Sequence, residues 1–222
     1  MAADLDRIEA GLRHVVEADD PFLTEVARHL IDAGGKRIRP ALAITASLVT
    51  STEPGSATDD VISGGVAVEL VHQGSLYHDD VMDGADTRRT VESVNARWGN
   101  LEAILAGDYL LARASEIAAR LGTEVAGLLA STIASLCEGQ IRELQHAFDV
   151  DRSRDAYLTS ISGKTAALLA SALRHALARD RQVFWATSRN TQQANVNATL
   201  DRFRAHGLSL RSITLRSREK AC

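Results

Sequence analysis

Proline disappears from this chain after Pro54. The only others are Pro21 and Pro40, so from Gly55 to Cys222 no missing amide interrupts a helix. Aromatic residues are scarce at 4%, which leaves Leu, Val, Ile and Ala to build the core and favours helix over sheet. Two cysteines, Cys137 and Cys222, are too few for the disulfide framework of a small secreted domain. No apolar run is long enough to cross a bilayer, and Met1 to Ala10 carries acids where a signal peptide carries basic residues. The expected location is therefore the cytoplasm. A net charge of −4 excludes a general nucleic-acid binder.

Apolar residues make up 45% of the chain and recur with helical period. Leu5, Ile8, Leu12, Val15 and Val16 mark a first helix. Pro21 opens a second that the Gly34–Gly35 pair ends, and Pro40 to Val49 forms a third. A long helix is expected from about Asp59 to Asp83, closed by Gly84, with others over Leu101 to Leu121, Glu124 to Phe148 and Arg154 to Leu177. No strand pattern of length is visible, so the fold class is all-α. From Arg181 onward eight basic residues face two acidic ones, and that segment is rich in Asn, Gln, Ser and Thr. Two regions follow: a helical domain over residues 1–178 and a divergent basic, polar tail over 179–222.

The chemistry concentrates in HDDVMDGADTRR, His78 to Arg89. His72, Leu76, Asp79 and Asp83 recur at helical intervals and share a face, with Asp80 beside it. Three carboxylates crowded together need cations to stay ionised, and hard oxygen ligands of this kind suit Mg²⁺. A solvated acidic helix end would read the same way in isolation. Arg88 and Arg89, one short loop later, change the balance, because guanidinium groups recognise phosphate oxygens bidentately. Upstream, GGKRIRP (Gly34 to Pro40) sets Lys36, Arg37 and Arg39 beside two glycines; it suits an anion or, equally, a helix C-cap. Downstream, SGKT (Ser162 to Thr165) lacks the earlier glycine of a phosphate-binding P-loop.

The chain resembles the trans-isoprenyl diphosphate synthases, or polyprenyl synthetases. The resemblance rests on GGKRIRP, ELVHQGSLYHDDVMDGADTRRTVESVNARWG, AILAGDYLLARA and GKTAALLASA, in order and at matching spacing to about Ala172. It implies a multi-helix isoprenoid synthase bundle and a prenyltransferase that condenses isopentenyl diphosphate with an allylic diphosphate. On that resemblance Asp79, Asp80 and Asp83 bind Mg²⁺ bridging the allylic diphosphate, and Arg88 contacts the same group. Lys36, Arg39, His72 and Arg89 hold isopentenyl diphosphate, while Lys164 and Thr165 lie on the allylic side. Gly74 and Ser75 correspond to the floor of the product pocket. Their small size points to a geranylgeranyl or longer product, although small residues also serve close helix packing.

The resemblance stops short of the family's second aspartate-rich motif. After Lys164 the only acids are Asp180, Asp201 and Glu219, none adjacent to another. The change of character near Arg174 reads as a truncated or frame-shifted version of a longer gene, so the bundle is expected to be C-terminally incomplete. One carboxylate cluster cannot clamp a diphosphate from two sides, and weak or absent synthase activity follows for this chain alone. The alternative is a non-catalytic partner subunit that pairs with a complete synthase, as a homodimer or heterodimer of packed helices.

Overall fold

The computed structural model describes residues 2–50, 56–146, 149 and 151–161. Helix α1 spans Ala2–Val15 and buries Ile8 and Leu12. Helix α2 spans Pro21–Asp32: Asp20 caps it through the Phe22 amide (2.8 Å), and Pro21 fills a first-turn position where no amide is needed. Helix α3, Ile38–Thr50, starts two residues before the expected Pro40. Pro40 still falls in the first turn, so its missing N–H breaks no intrahelical bond.

The central element is α4, Asp59–Asp83, which begins and ends where its sequence signals lie. Thr58 caps its first turn, and Gly84 takes a left-handed conformation (φ 60°) that closes the last. There follows a miniature antiparallel hairpin, β1 (Thr87–Arg88) and β2 (Val91–Glu92), with Arg88 opposite Val91. Its two turn residues, Arg89 and Thr90, both have positive φ, 52° and 68°, as a tight two-residue hairpin requires. A short helix α5 (Val94–Trp98) capped by Ser93 then leads into α6 (Asn100–Leu121), α7 (Thr123–Gln145) and α8 (Arg154–Ile161). The hairpin and α5 were not expected, because two-residue strands are too short to show alternation.

Helix α4 is buried around most of its girth. Its core neighbours include Ile8 and Leu12 of α1, Leu30 and Ile31 of α2, Ile44 of α3, and Leu110, Ala114 and Ile117 of α6. Against α6 it runs antiparallel and close: a Cβ on Gly74 would lie 2.9 Å from the Gly107 carbonyl and 3.2 Å from Leu111 Cγ. Among the described residues no helix is long and apolar enough to cross a membrane. The end of the expected Arg154–Leu177 helix beyond Ile161, the boundary at residue 178 and the polar tail lie outside the described residues.

Candidate active site

The polar residues of α4 divide between two faces. Glu69, Gln73, Tyr77 and Asp80 are spaced by four, four and three residues, share one stripe, and are at most 2% exposed. Tyr77 donates its hydroxyl hydrogen to the Val26 carbonyl (2.8 Å) and lies near the Leu30 amide, stitching α4 to α2. Burial pushes its phenol pKa up. Gln73 donates to Glu69 (2.7 Å). Asp80 accepts from Nε of Arg88 at 2.7 Å through Oδ1 and from Nη2 of the same guanidinium. The other carboxylate oxygen, Oδ2, is buried with no hydrogen-bond partner.

The Gly34–Arg39 loop is tied down from two sides. Arg37, 6% exposed and at φ 44°, pairs with Glu9 of α1 (2.5 and 3.2 Å) and with Glu69 (3.1 Å), and donates to the Ile31 carbonyl (2.9 Å). Burial works against its charge, yet Glu9 and Glu69 outweigh that cost and raise its pKa. Arg89 reaches across from the hairpin turn and donates to the carbonyls of Leu30 (2.9 Å) and Gly34. Both guanidinium groups lie over Gly35, where a Cβ would come within 2.9 Å of Arg89 Nη1 and 3.0 Å of Arg37 Nη1. Here glycine is required by the close approach as well as by its φ of 156°.

The other face of α4 opens towards these cations. His72 stands half-buried on it, one turn beyond the level of Glu69. Burial and then the charges of Arg39, Arg89, Arg37 and Arg88 push its pKa down to about 3, so the imidazole is neutral near pH 7. Arg39 is half-buried and makes no hydrogen bond or ion pair to any described residue; its desolvation lowers its pKa, with Glu69 opposing. Lys36 is exposed beside it. Farther along the same face stand half-buried Asp79 and exposed Asp83. Along this side of α4 a cationic stretch is thus followed by a carboxylate stretch; guanidinium groups suit anions and carboxylates suit hard cations. Among the described residues no three His, Cys, Asp or Glu side chains converge tightly enough to hold a metal by themselves.

The chain matches the polyprenyl synthetase family over residues 20–193. It belongs to that family. It is 40% identical over 170 residues to the nonaprenyl diphosphate synthase of Mycobacterium tuberculosis, covering 77% of this chain and 50% of the relative. It is 38% identical to heptaprenyl diphosphate synthase component 2 of Geobacillus stearothermophilus, again covering 77% of this chain and 52% of that one. A polyprenyl synthase from Caulobacter crescentus, solved with calcium and isoprenyl diphosphate, superposes with a TM-score of 0.72 at 32% identity over 77% of this chain and 51% of that structure. A decaprenyl diphosphate synthase from Rhodobacter capsulatus gives 0.71 at 35% identity over 77% of this chain and 52% of that one. The all-α isoprenoid synthase fold therefore holds, and the chain spans about half the length of the relatives it matches.

Within this polyprenyl synthetase domain the expected site residues divide into three groups. His72 lies within reach of the charges of Arg39, Arg88 and Arg89, Arg88 lies near Asp79, Asp80 and Asp83 with Asp80 turned inward, and Lys36 is exposed on the loop before α3. Gly74 is buried against α6, and the half-buried Ser75 donates its hydroxyl to the His72 carbonyl (2.9 Å). Lys164 and Thr165 lie outside the described residues. Sequence reasoning passed over Glu69, Gln73 and Asp108. A carboxylate inside the apolar run VAVELV was the available signal for Glu69, since it must find a cation. Asp108 of α6 approaches His78 Nε2 (3.3 Å), which also lies 3.2 Å from the Ile104 carbonyl. A Cβ on Gly107 would fall 2.4 Å from that nitrogen, so the glycine makes room for the ring.

Proposed function

We propose that this domain forms the diphosphate-binding half of a prenyltransferase site, which joins isopentenyl diphosphate to an allylic diphosphate in isoprenoid biosynthesis. The observation that carries the reading is the neutral His72 ringed by guanidinium groups beside Asp79 and Asp83. Lys36, Arg39, His72 and Arg89 would receive the isopentenyl diphosphate, with Arg39 making no hydrogen bond or ion pair to the described residues that would hold it back. Arg88 and the aspartates would face the allylic diphosphate, and Lys164 and Thr165 would complete that side.

The residues fit Mg²⁺. Asp79 and Asp83, one turn apart on the open face, would offer it hard oxygens and leave the other positions to water and phosphate oxygens, while Asp80 Oδ2 is a buried acceptor lacking a donor on the inward side. When bound, the metal neutralises diphosphate charge. Arg88 adds its guanidinium charge where the leaving pyrophosphate gathers electrons, and Asp80 fixes that guanidinium in place. The isopentenyl double bond then adds to the allylic carbon, and the proton lost goes to the released pyrophosphate. Because Asp180, Asp201 and Glu219, the acids after Lys164, each stand alone, elongation by this chain alone is expected to be slow or absent.

Exposed apolar side chains favour a partner as well. Leu101 and Leu105 of α6 and Ile141 and Leu144 of α7 are 53–65% exposed, which suits helix packing against a second subunit, either another copy or a full-length synthase. The test is calorimetric titration with isopentenyl diphosphate, followed by incubation with farnesyl diphosphate, Mg²⁺ and labelled isopentenyl diphosphate, with and without a full-length synthase. Binding with little elongation by the chain alone supports the reading. Failure to bind any diphosphate overturns it.

A further inference from the structure

We propose that Glu69 is a positioning residue of the diphosphate site, holding the Gly34–Arg39 loop in register with α4 through Arg37 and Arg89. The inference rests on the diphosphate reading above. Glu69 makes no hydrogen bond to Lys36, Arg39 or His72, so beyond its direct Coulomb pull on Arg39 its influence passes through other side chains.

One carboxylate oxygen of Glu69 gathers three groups: Arg37 at 3.1 Å, Gln73 at 2.7 Å and Arg89 at 3.9 Å. These come from the α2–α3 loop, from α4 itself and from the hairpin turn. Arg37 and Arg89 also share the Gly34 carbonyl and lie together over Gly35. Two guanidinium groups that close repel each other: burial is the largest cause that lowers the pKa of Arg89, and the charge of Arg37 is the next. Glu9 compensates Arg37 from the far side, but Glu69 is the carboxylate that both cations face. Remove its charge and the two guanidiniums have reason to part. The Gly34 carbonyl then loses a donor, and the loop that carries Lys36 and leads into Arg39 on the first turn of α3 is released.

The sign of the effect separates positioning from simple electrostatics. Glu69→Gln removes a negative charge from beside these cations. If charge alone mattered, an anion would bind the variant more tightly. Positioning demands the reverse. Isopentenyl diphosphate titrated calorimetrically into the full 222-residue chain should bind the E69Q variant about tenfold more weakly than wild type, at a temperature where circular dichroism finds both folded. Equal or tighter binding by folded E69Q overturns the inference and leaves the diphosphate reading standing. If wild type itself fails to bind, the diphosphate reading falls and this inference with it. Should E69Q not fold, the double variant Glu69→Gln with Arg37→Met removes both buried charges together and leaves Glu9 at a half-buried position reached by water. The same loss of affinity is expected there, and wild-type affinity would again overturn the proposal.

Discussion

Two faces of α4 carry the same kinds of side chain to opposite ends. On one face Glu69, Gln73, Tyr77 and Asp80 are sealed from water, and each has a partner on another element or on its own helix. On the other, His72, Asp79 and Asp83 keep access to solvent beside Arg39 and Lys36. The buried face fixes which loops lie near the helix, and the open face keeps its charged groups within reach of water. The comparison shows that an aspartate-rich motif need not act as a unit. Spacing turns Asp80 inward while Asp79 and Asp83 stay out.

The buried face should be the more expensive to break. Arg37→Ala leaves Glu69 buried without its closest cation and takes a donor from the Ile31 carbonyl. A loss of about 3–5 kcal/mol is expected, the usual result when one member of a buried ion pair is removed, as read by urea denaturation. A loss under about 1 kcal/mol would mean that water enters the cluster and that the two faces differ less than their burial implies.

Gly74→Ala probes the contact between α4 and α6. The new Cβ would meet backbone, the Gly107 carbonyl at 2.9 Å, and backbone can yield only if the helices separate. Destabilisation of about 1–3 kcal/mol is expected in thermal melts. A change in product length without loss of stability would instead assign Gly74 to the pocket floor.

Acid should distinguish the faces too. His72 has a folded pKa of about 3, below its ordinary 6.5, owing to burial and then the four arginines. The unfolded chain therefore binds the extra proton between those values, and stability falls as pH drops through that window and is complete above it. Between pH 7 and pH 5 this group contributes a loss of roughly 1–2 kcal/mol, reduced for its partial exposure. His72→Gln should flatten the slope of unfolding free energy against pH; an unchanged slope would place the titration elsewhere.

Much of this arrangement was legible in the sequence. Thr58 and Gly84 bracket α4 by ordinary capping chemistry, and the apolar period set the other helices to within a few residues. Spacing alone put His72, Asp79 and Asp83 on one face of a helix, with Arg88 and Arg89 a short loop beyond its end. What could not be read was which cation each carboxylate takes. Arg37 looked like Lys36 and Arg39, three basic residues beside glycines, yet Arg37 is buried with Glu9 and Glu69 while Arg39 is half-buried and Lys36 exposed. That choice depends on contacts between α1, α4 and the loop, dozens of residues apart. The hairpin escaped for a related reason, since its positive-φ turn uses Arg89 and Thr90 where glycine or asparagine would have announced it.

The sharpest test pairs two neighbours in one motif. Asp80→Asn weakens the partner of Arg88 on the buried face and should cost about 1–3 kcal/mol of stability. Asp83→Asn alters an exposed group at the helix end and should leave the unfolding free energy within about 0.5 kcal/mol of wild type. The carboxylate also sits near the negative end of the α4 dipole, where losing its charge relieves repulsion, so any change should be slightly favourable. Diphosphate binding should respond differently. If Asp83 serves the open face, the gain in diphosphate affinity on adding Mg²⁺ should shrink in D83N while affinity without the metal stays the same or rises. Equal stability losses in the two variants would erase the distinction between the faces. An undiminished magnesium effect in D83N would leave Asp79 and Asp80 to hold the metal and reduce Asp83 to a solvated helix end.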